Sequence, residues 1–452
     1  MNDASFARPA RPFLAHLCAV HLCLAACLGG LVLAPSQSRA QAPAQPDAAA
    51  SDPRALKWME GSPPPADKII RFGDGSFYRF PQLRWSFSHM RELLPTAAVW
   101  RGALPVTPLA RFERNDIDAM TFATRDGRTV TWAESLALNY TDGIIVLHKG
   151  HVVYEKYSGA LDGHLPHSAF SVTKSLVGVL AAMLVNEGKL KPGELVSFYL
   201  PELKDSAYGD ATVRQVMDMT VGVKYSEDYS DPKSEVFDYA RAGGMLPVAP
   251  GYTGPRSFYD FLATLKKEGE HGRAFAYKTS NAEVLAWIVK RVSGRRLADF
   301  ASERIWRKLG MENDAYFTVD SLGVESGGGG FNASLRDLAR FGEMMRNDGW
   351  YNWEQIVPKA VVEDIRNGGD KDLFAKAGFT TLPGASYRSM WWVLNNDHGA
   401  YMARGIHGQA IYIDPAAEMV IVRFASNPRA SNVLNDPVSL RAYAALAEFL
   451  TH

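Results

Sequence analysis

Cysteine is scarce in this chain of 452 residues: Cys18, Cys23 and Cys27 are the only three, and all fall within its first 30 positions. If that stretch is removed on export, no disulfide, thiol nucleophile or sulfur-held metal remains. Stability must then come from burial, and a chain of this length with 47% hydrophobic residues can build a large core. Net charge is missing too. Lys and Arg number 49 and Asp and Glu number 49, so no global field points to nucleic acid or to an anionic membrane. There is no internal repeat, and no His, Asp and Glu cluster has metal-ligand spacing. The expectation is no metal, no cofactor, no nucleic-acid partner and no stable membrane partner, with a small neutral or zwitterionic ligand left open.

Arg8 and Arg11 precede an apolar stretch from Phe13 to Ala34, and Ser38-Arg39-Ala40 follows. This is the layout of a secretory signal cleaved after Ala40. A membrane anchor is the alternative, but His16 and His21 interrupt the stretch. Leu24-Ala25-Ala26-Cys27 resembles a lipoprotein box, although the apolar run continues past it through Val32. The reading is a signal over 1–40, export to the periplasm or beyond, a disordered tether over 41–55, and an N-terminal wrapping segment over 56–135 without nameable chemistry.

The stretch that organises the remainder is Ser171-Val172-Thr173-Lys174, which opens onto the apolar run Leu176 to Leu184. Val177, Leu180, Ala181 and Leu184 recur at helical spacing, which predicts a buried helix. Residues at i and i+3 share a helix face, so the Ser171 hydroxyl and the Lys174 ammonium enter the same space. A second Ser-x-x-Lys match, Ser230 to Lys233, contains Pro232 and reads as a loop. A bare match is more often structural than catalytic. What gives Ser171 weight is a lysine turned inward at the start of a buried helix, where its charge needs an explanation.

Gly143 to His148 and His151 to Tyr157 are β-rich runs joined by Lys149-Gly150, a hairpin. Helical signals dominate from Leu176 to about Gly384, and strand signals return at 389–394, 409–413 and 419–425 before a last helix over about 438–450. Strands at both ends with helices between them predict an α+β fold. One antiparallel sheet is built from both chain ends, a helical lobe over about 185–385 is inserted, and the domain spans 136–452. The interface between sheet and lobe is the natural cleft. Tyr277 stands just ahead of an amphipathic helix; taken alone it reads as a core tyrosine.

Taken together, Ser171 to Lys174, the Phe-x-Tyr-x-x-x-Asn stretch around Tyr277 and Gly405-Ile406-His407-Gly408-Gln409 resemble the serine β-lactamase and penicillin-binding superfamily. Within it the chain is similar to the 6-aminohexanoate-dimer (nylon-oligomer) hydrolases, which are related to class C β-lactamases and esterases. Glu227-Asp228-Tyr229, Asp337-Leu338-Ala339-Arg340 and Trp391-Trp392 fit the same family. The resemblance implies a Ser171 nucleophile, Lys174 and Tyr277 as partners sharing its proton, and an oxyanion hole from the backbone N–H groups of Ser171 and Ile406. It places Tyr229 and Trp391 beside the substrate, with Tyr229 assisting the leaving amine, and His407 with them. A serine triad or metal role for His407 is disfavoured. Either Lys174 or Tyr277 can serve as the base.

Where relatives carry Lys-Thr-Gly this chain reads Ala403-Arg404-Gly405, which puts penicillin hydrolysis in doubt. The expected activity is hydrolysis of small linear amides or esters through an acyl-enzyme. A carboxylesterase or a D-aminopeptidase or DD-peptidase-like enzyme is the alternative, and a module that acylates without turnover is the alternative of another class.

Overall fold

The computed structural model describes residues 45–452. The expected leader, its cleavage site and Cys27 lie outside the described residues. Seven antiparallel strands form the main sheet: β1 (Thr141–His148), β2 (His151–Tyr157), β3 (Ser386–Arg388), β4 (Trp391–Val393), β5 (Tyr401–Gly405), β6 (Gln409–Asp414) and β7 (Met419–Ala425). Their spatial order is β3-β4-β5-β6-β7-β1-β2, so the first hairpin closes one edge and chain-terminal strands supply the other five. Lys149 and Gly150 both take positive φ, 51° and 78°, the geometry of a two-residue turn that matches strand twist.

Strand alternation sends neighbouring side chains to opposite faces. Helices α1 (Val172–Asn186), α2 (Thr279–Ser293), α3 (Leu335–Arg346) and α4 (Asp436–Thr451) are the ones that matter for the site. On β6, Ile411 faces Gly342 of α3, while the Tyr412 ring packs 5.2 Å from Tyr443 of α4. Both faces are therefore covered, and β1, β6 and β7 are buried along almost their whole length. Gly178 lets α1 approach the turn before β4: a Cβ there would meet the Ser389 carbonyl oxygen at 2.1 Å.

Two features differ from the sequence reading. A second sheet joins Thr96–Val99, Ala315–Thr318, Phe331–Ala333 and His167–Ser168; its strands are too short for periodicity to reveal. Residues 47–55 are not a free tether. They form turns pinned by Arg84, which donates to the Ala48 carbonyl and to Ser51 Oγ at 2.5 and 2.9 Å, and Ser51 is fully buried. Residues 56–100 wrap the domain: Ile70, Phe77, Trp85, Met90 and Leu94 make a small core with Tyr316.

Candidate active site

Ser171 occupies the N-cap position of α1 with its hydroxyl free of any capping bond, and the residue before it, Phe170, is held at φ 45°, a conformation that non-glycine residues rarely adopt and that often marks functional turns. The Phe170 ring is lodged against Phe87 at 4.7 Å and His407 at 5.5 Å. One turn into the helix, Lys174 Nζ lies 2.8 Å from Ser171 Oγ and donates to the Gly328 carbonyl at 2.6 Å. Lys174 is 1% exposed. Burial penalises its charged form and lowers its pKa to about 8, against an upward pull from the carboxylates of Glu227 and Glu283.

Tyr277 brings its ring within 5.2 Å of Lys174 Nζ. Its phenol pKa is pushed well up, first by burial and next by Glu227, while a hydrogen bond with Ser171 and the positive charge of Arg404 oppose the shift. A neutral phenol and a readily deprotonated amine thus flank the same hydroxyl. Between the two candidates left open by the sequence, these opposite shifts favour Lys174 as the proton acceptor and Tyr277 as a donor.

Ile406 follows the end of β5. Gly405 lets that strand end touch the nucleophile loop, since a Cβ would stand 2.5 Å from the Ala169 carbonyl oxygen. Ser171 and Ile406 both line a cavity of about 940 Å³ and a second of about 110 Å³. The first also carries Tyr277, Trp392, Arg404 and Glu227 on its wall.

The remaining expected residues fare differently. Tyr229 lines both cavities, but its hydroxyl donates to Glu227 at 2.8 Å, so that proton is engaged. Glu227 in turn accepts from the backbone and hydroxyl of Thr279, both at 2.7 Å. Trp391 is not a cleft residue. It is fully buried, donates to the Ser175 carbonyl at 3.1 Å and packs on Phe341 and Tyr401. Its neighbour Trp392, on the opposite face of β4, lies 5.3 Å from the Tyr277 ring and lines the larger cavity; alternation along the strand makes the exchange.

His407 borders that cavity, yet both its ring nitrogens are occupied. Nδ1 donates to the Asn427 carbonyl at 2.6 Å, leaving Nε2 to accept from the Tyr78 hydroxyl at 3.0 Å. Burial lowers its pKa to about 4, so it is neutral. Its ring nitrogens thus hold the turn after Ile406 and offer the cavity no free polar group. Arg404 points inward over Trp392 and pairs with Asp436 at 2.5 Å, so its charge is already met. The Ser230 copy of the motif is an exposed turn whose hydroxyl donates to Asp228 at 2.6 Å.

Two residues had no clear sequence signal. Tyr78 reaches the site from the N-terminal segment. Glu283, buried in α2, accepts from the amides of Gly327 and Gly328 at 2.8 Å each, from Ser326 at 2.9 Å and from Tyr239 at 2.6 Å. It fixes the glycine loop whose carbonyl holds Lys174. A charged residue inside the apolar run Ala282 to Val289 was the available hint.

A serine at the start of a helix, backed by a buried lysine, a tyrosine and a strand edge and set between an antiparallel sheet and a helical lobe, defines a serine hydrolase of the penicillin-recognising kind. The family model for β-lactamase matches residues 140–444, and the chain belongs to that family. It is 36% identical over 397 residues to the 6-aminohexanoate-dimer hydrolase of Paenarthrobacter ureafaciens, covering 87% of this chain and 93% of that one. A solved Bacillus anthracis structure provisionally described as a 6-aminohexanoate-dimer hydrolase superposes with a TM-score of 0.78 at 33% identity, covering 86% of this chain and 99% of that one. EstCE1, a hydrolase with promiscuous acyltransferase activity, shares the fold at a TM-score of 0.55 and 17% identity, covering 70% and 96%.

Proposed function

We propose that this protein hydrolyses small linear amides and esters through an acyl-enzyme on Ser171. The observation that carries the reading is the 2.8 Å contact between Ser171 Oγ and the buried Lys174 Nζ, whose pKa is lowered to about 8. The unprotonated amine takes the Ser171 proton as Oγ attacks the carbonyl carbon. The resulting oxyanion meets the N–H groups of Ser171 and Ile406, donors of a kind that typically contribute about 10²–10³ in rate. The C–N or C–O bond then breaks, and the proton passes through Lys174 and Tyr277 to the departing amine or alcohol. Water repeats the sequence in reverse to free the acid and restore Ser171. Kinship to the Paenarthrobacter enzyme supports a linear amide as one substrate class. Arg404, tied to Asp436, offers no free cation for a β-lactam carboxylate.

Ser171→Ala is expected to fold normally and to lose p-nitrophenyl acetate hydrolysis by several orders of magnitude. Turnover equal to wild type would end this mechanism.

We also propose that the protein is exported, on the strength of the leader before Gln41. Mass spectrometry of the protein made in a Gram-negative host should show an N-terminus at Gln41 and no titratable thiol; a species beginning at a lipidated Cys27 would contradict it. Among the described residues no helix is long and apolar enough to cross a membrane.

A further inference from the structure

The two cavities share the reaction centre and differ in charge. Ser171, Ile406, Tyr78, Tyr229 and Phe237 line both. Tyr277 borders only the larger one, beside Glu227, Arg404 and Asp436. The leaving group must receive a proton as its bond to the carbonyl breaks, so it has to lie on the side of the proton donor. That side is the larger, charged cavity. The acyl chain, bound to the same carbonyl carbon, is then directed into the smaller one.

The smaller cavity has no charged side chain on its wall among the described residues. Met90 and Leu94 of the N-terminal segment face Val236, Met245 and Leu246 of the helical lobe across it. Its hydroxyls are mostly spent. Tyr239 bonds Glu283 and Ser326, and Thr279 and Tyr229 bond Glu227. Thr318 Oγ1 is buried without a partner, and a neutral hydroxyl cannot balance a charge. Glu283, behind the wall, already accepts from four donors. An acyl chain ending in an ammonium would therefore lose its hydration with no counter-ion to replace it, whereas a methylene chain gains from burial.

We propose that the smaller cavity is the acyl site, and that the enzyme selects substrates with an uncharged, apolar acyl chain joined to a polar leaving group. This rests on the Ser171 acyl-enzyme reading. It also gives the N-terminal segment a function, as one wall of the acyl site.

The test compares hexanoyl and 6-aminohexanoyl p-nitroanilides, which share leaving group and chain length and differ by the terminal ammonium. Hexanoyl should be preferred in kcat/KM by about tenfold or more, the penalty for a buried uncompensated charge. Equal or faster hydrolysis of the 6-aminohexanoyl compound would overturn the proposal. Two variants then move the chain-length preference in opposite directions. Met245→Trp, which fills the cavity, should lower the ratio of p-nitrophenyl hexanoate to acetate kcat/KM, and Met90→Ala, which widens it, should raise the ratio of octanoate to hexanoate. Each ratio is internal to one protein, so partial loss of folded enzyme cancels. Ratios unmoved in both variants would place the chain elsewhere and refute the acyl site while leaving the Ser171 mechanism standing. Hydrolysis that persists undiminished in Ser171→Ala would instead remove the mechanism beneath it.

Discussion

Tyr78 donates its hydroxyl to His407 Nε2 at 3.0 Å across 329 residues of sequence. The bond ties the N-terminal segment to the turn that follows Ile406, whose N–H is the proposed second oxyanion donor. His407 itself sits at φ 61°, a strained conformation that persists only where the surroundings over-determine it. Three of its partners do so: the Tyr78 hydroxyl, the Asn427 carbonyl and the Ala430 carbonyl, which accepts from the His407 amide at 2.9 Å.

Tyr78→Phe keeps the ring contacts and deletes this one bond. It leaves a buried imidazole nitrogen without a donor, which typically costs about 1–3 kcal/mol. We expect urea denaturation to show a loss in that range. Because His407 adjoins Ile406, kcat should fall several-fold with KM nearly unchanged, and a fall in KM-controlled binding alone would contradict the positioning role.

Lys174 gives a pH signature with a definite sign. Its folded pKa of about 8 lies below the ordinary value of 10.5. Below pH 8 both folded and unfolded states carry the proton, and the folded state bears the full penalty of a buried ammonium. Between about 8 and 10.5 the unfolded chain binds more protons, so this residue's contribution to stability rises with pH. The difference in unfolding free energy between wild type and Lys174→Met should therefore shift in favour of the wild type as pH climbs from 7 to 10. In the same window kcat/KM for p-nitrophenyl acetate should rise with an apparent pKa near 8, as the free amine appears. A profile flat from pH 6.5 to 9.5 would argue against Lys174 as the base.

Much of this was legible beforehand because the signals were local and periodic. Leu335 to Arg346 formed the helix its apolar spacing predicted, and Met419 to Ala425 the strand. Ser171 and Lys174 stand three apart on one helix, so their contact needed no knowledge of the fold. Tyr277 and Ile406 could be joined to them only through a family resemblance, since nothing in their own spacing brings them together. Tyr78 carries no such signal, Glu283 offers only a charge inside an apolar run, and the sequence does not say which of Trp391 and Trp392 a strand this short turns to the cleft.

That last pair separates packing from binding. Trp391 is sealed between Ser175, Phe341 and Tyr401, and its removal leaves a large cavity in a covered sheet. Trp391→Ala should cost about 3–5 kcal/mol of stability. Trp392 is buried as well, packed on Phe275, Phe374, Phe379 and Tyr387, but its ring also borders the cleft, with Tyr277 on one side and the Arg404 guanidinium 5.1 Å from its centre. Trp392→Ala removes an apolar wall from the leaving-group side, and a burial loss of this size corresponds to about tenfold in affinity. For an aromatic leaving group such as nitrophenol, KM should rise by about that factor, whereas Trp391→Ala should leave KM nearly unchanged in the enzyme that remains folded. If instead Trp391→Ala raised KM and Trp392→Ala left it unchanged, the strand would be turned the other way and Trp391 would be the cleft residue.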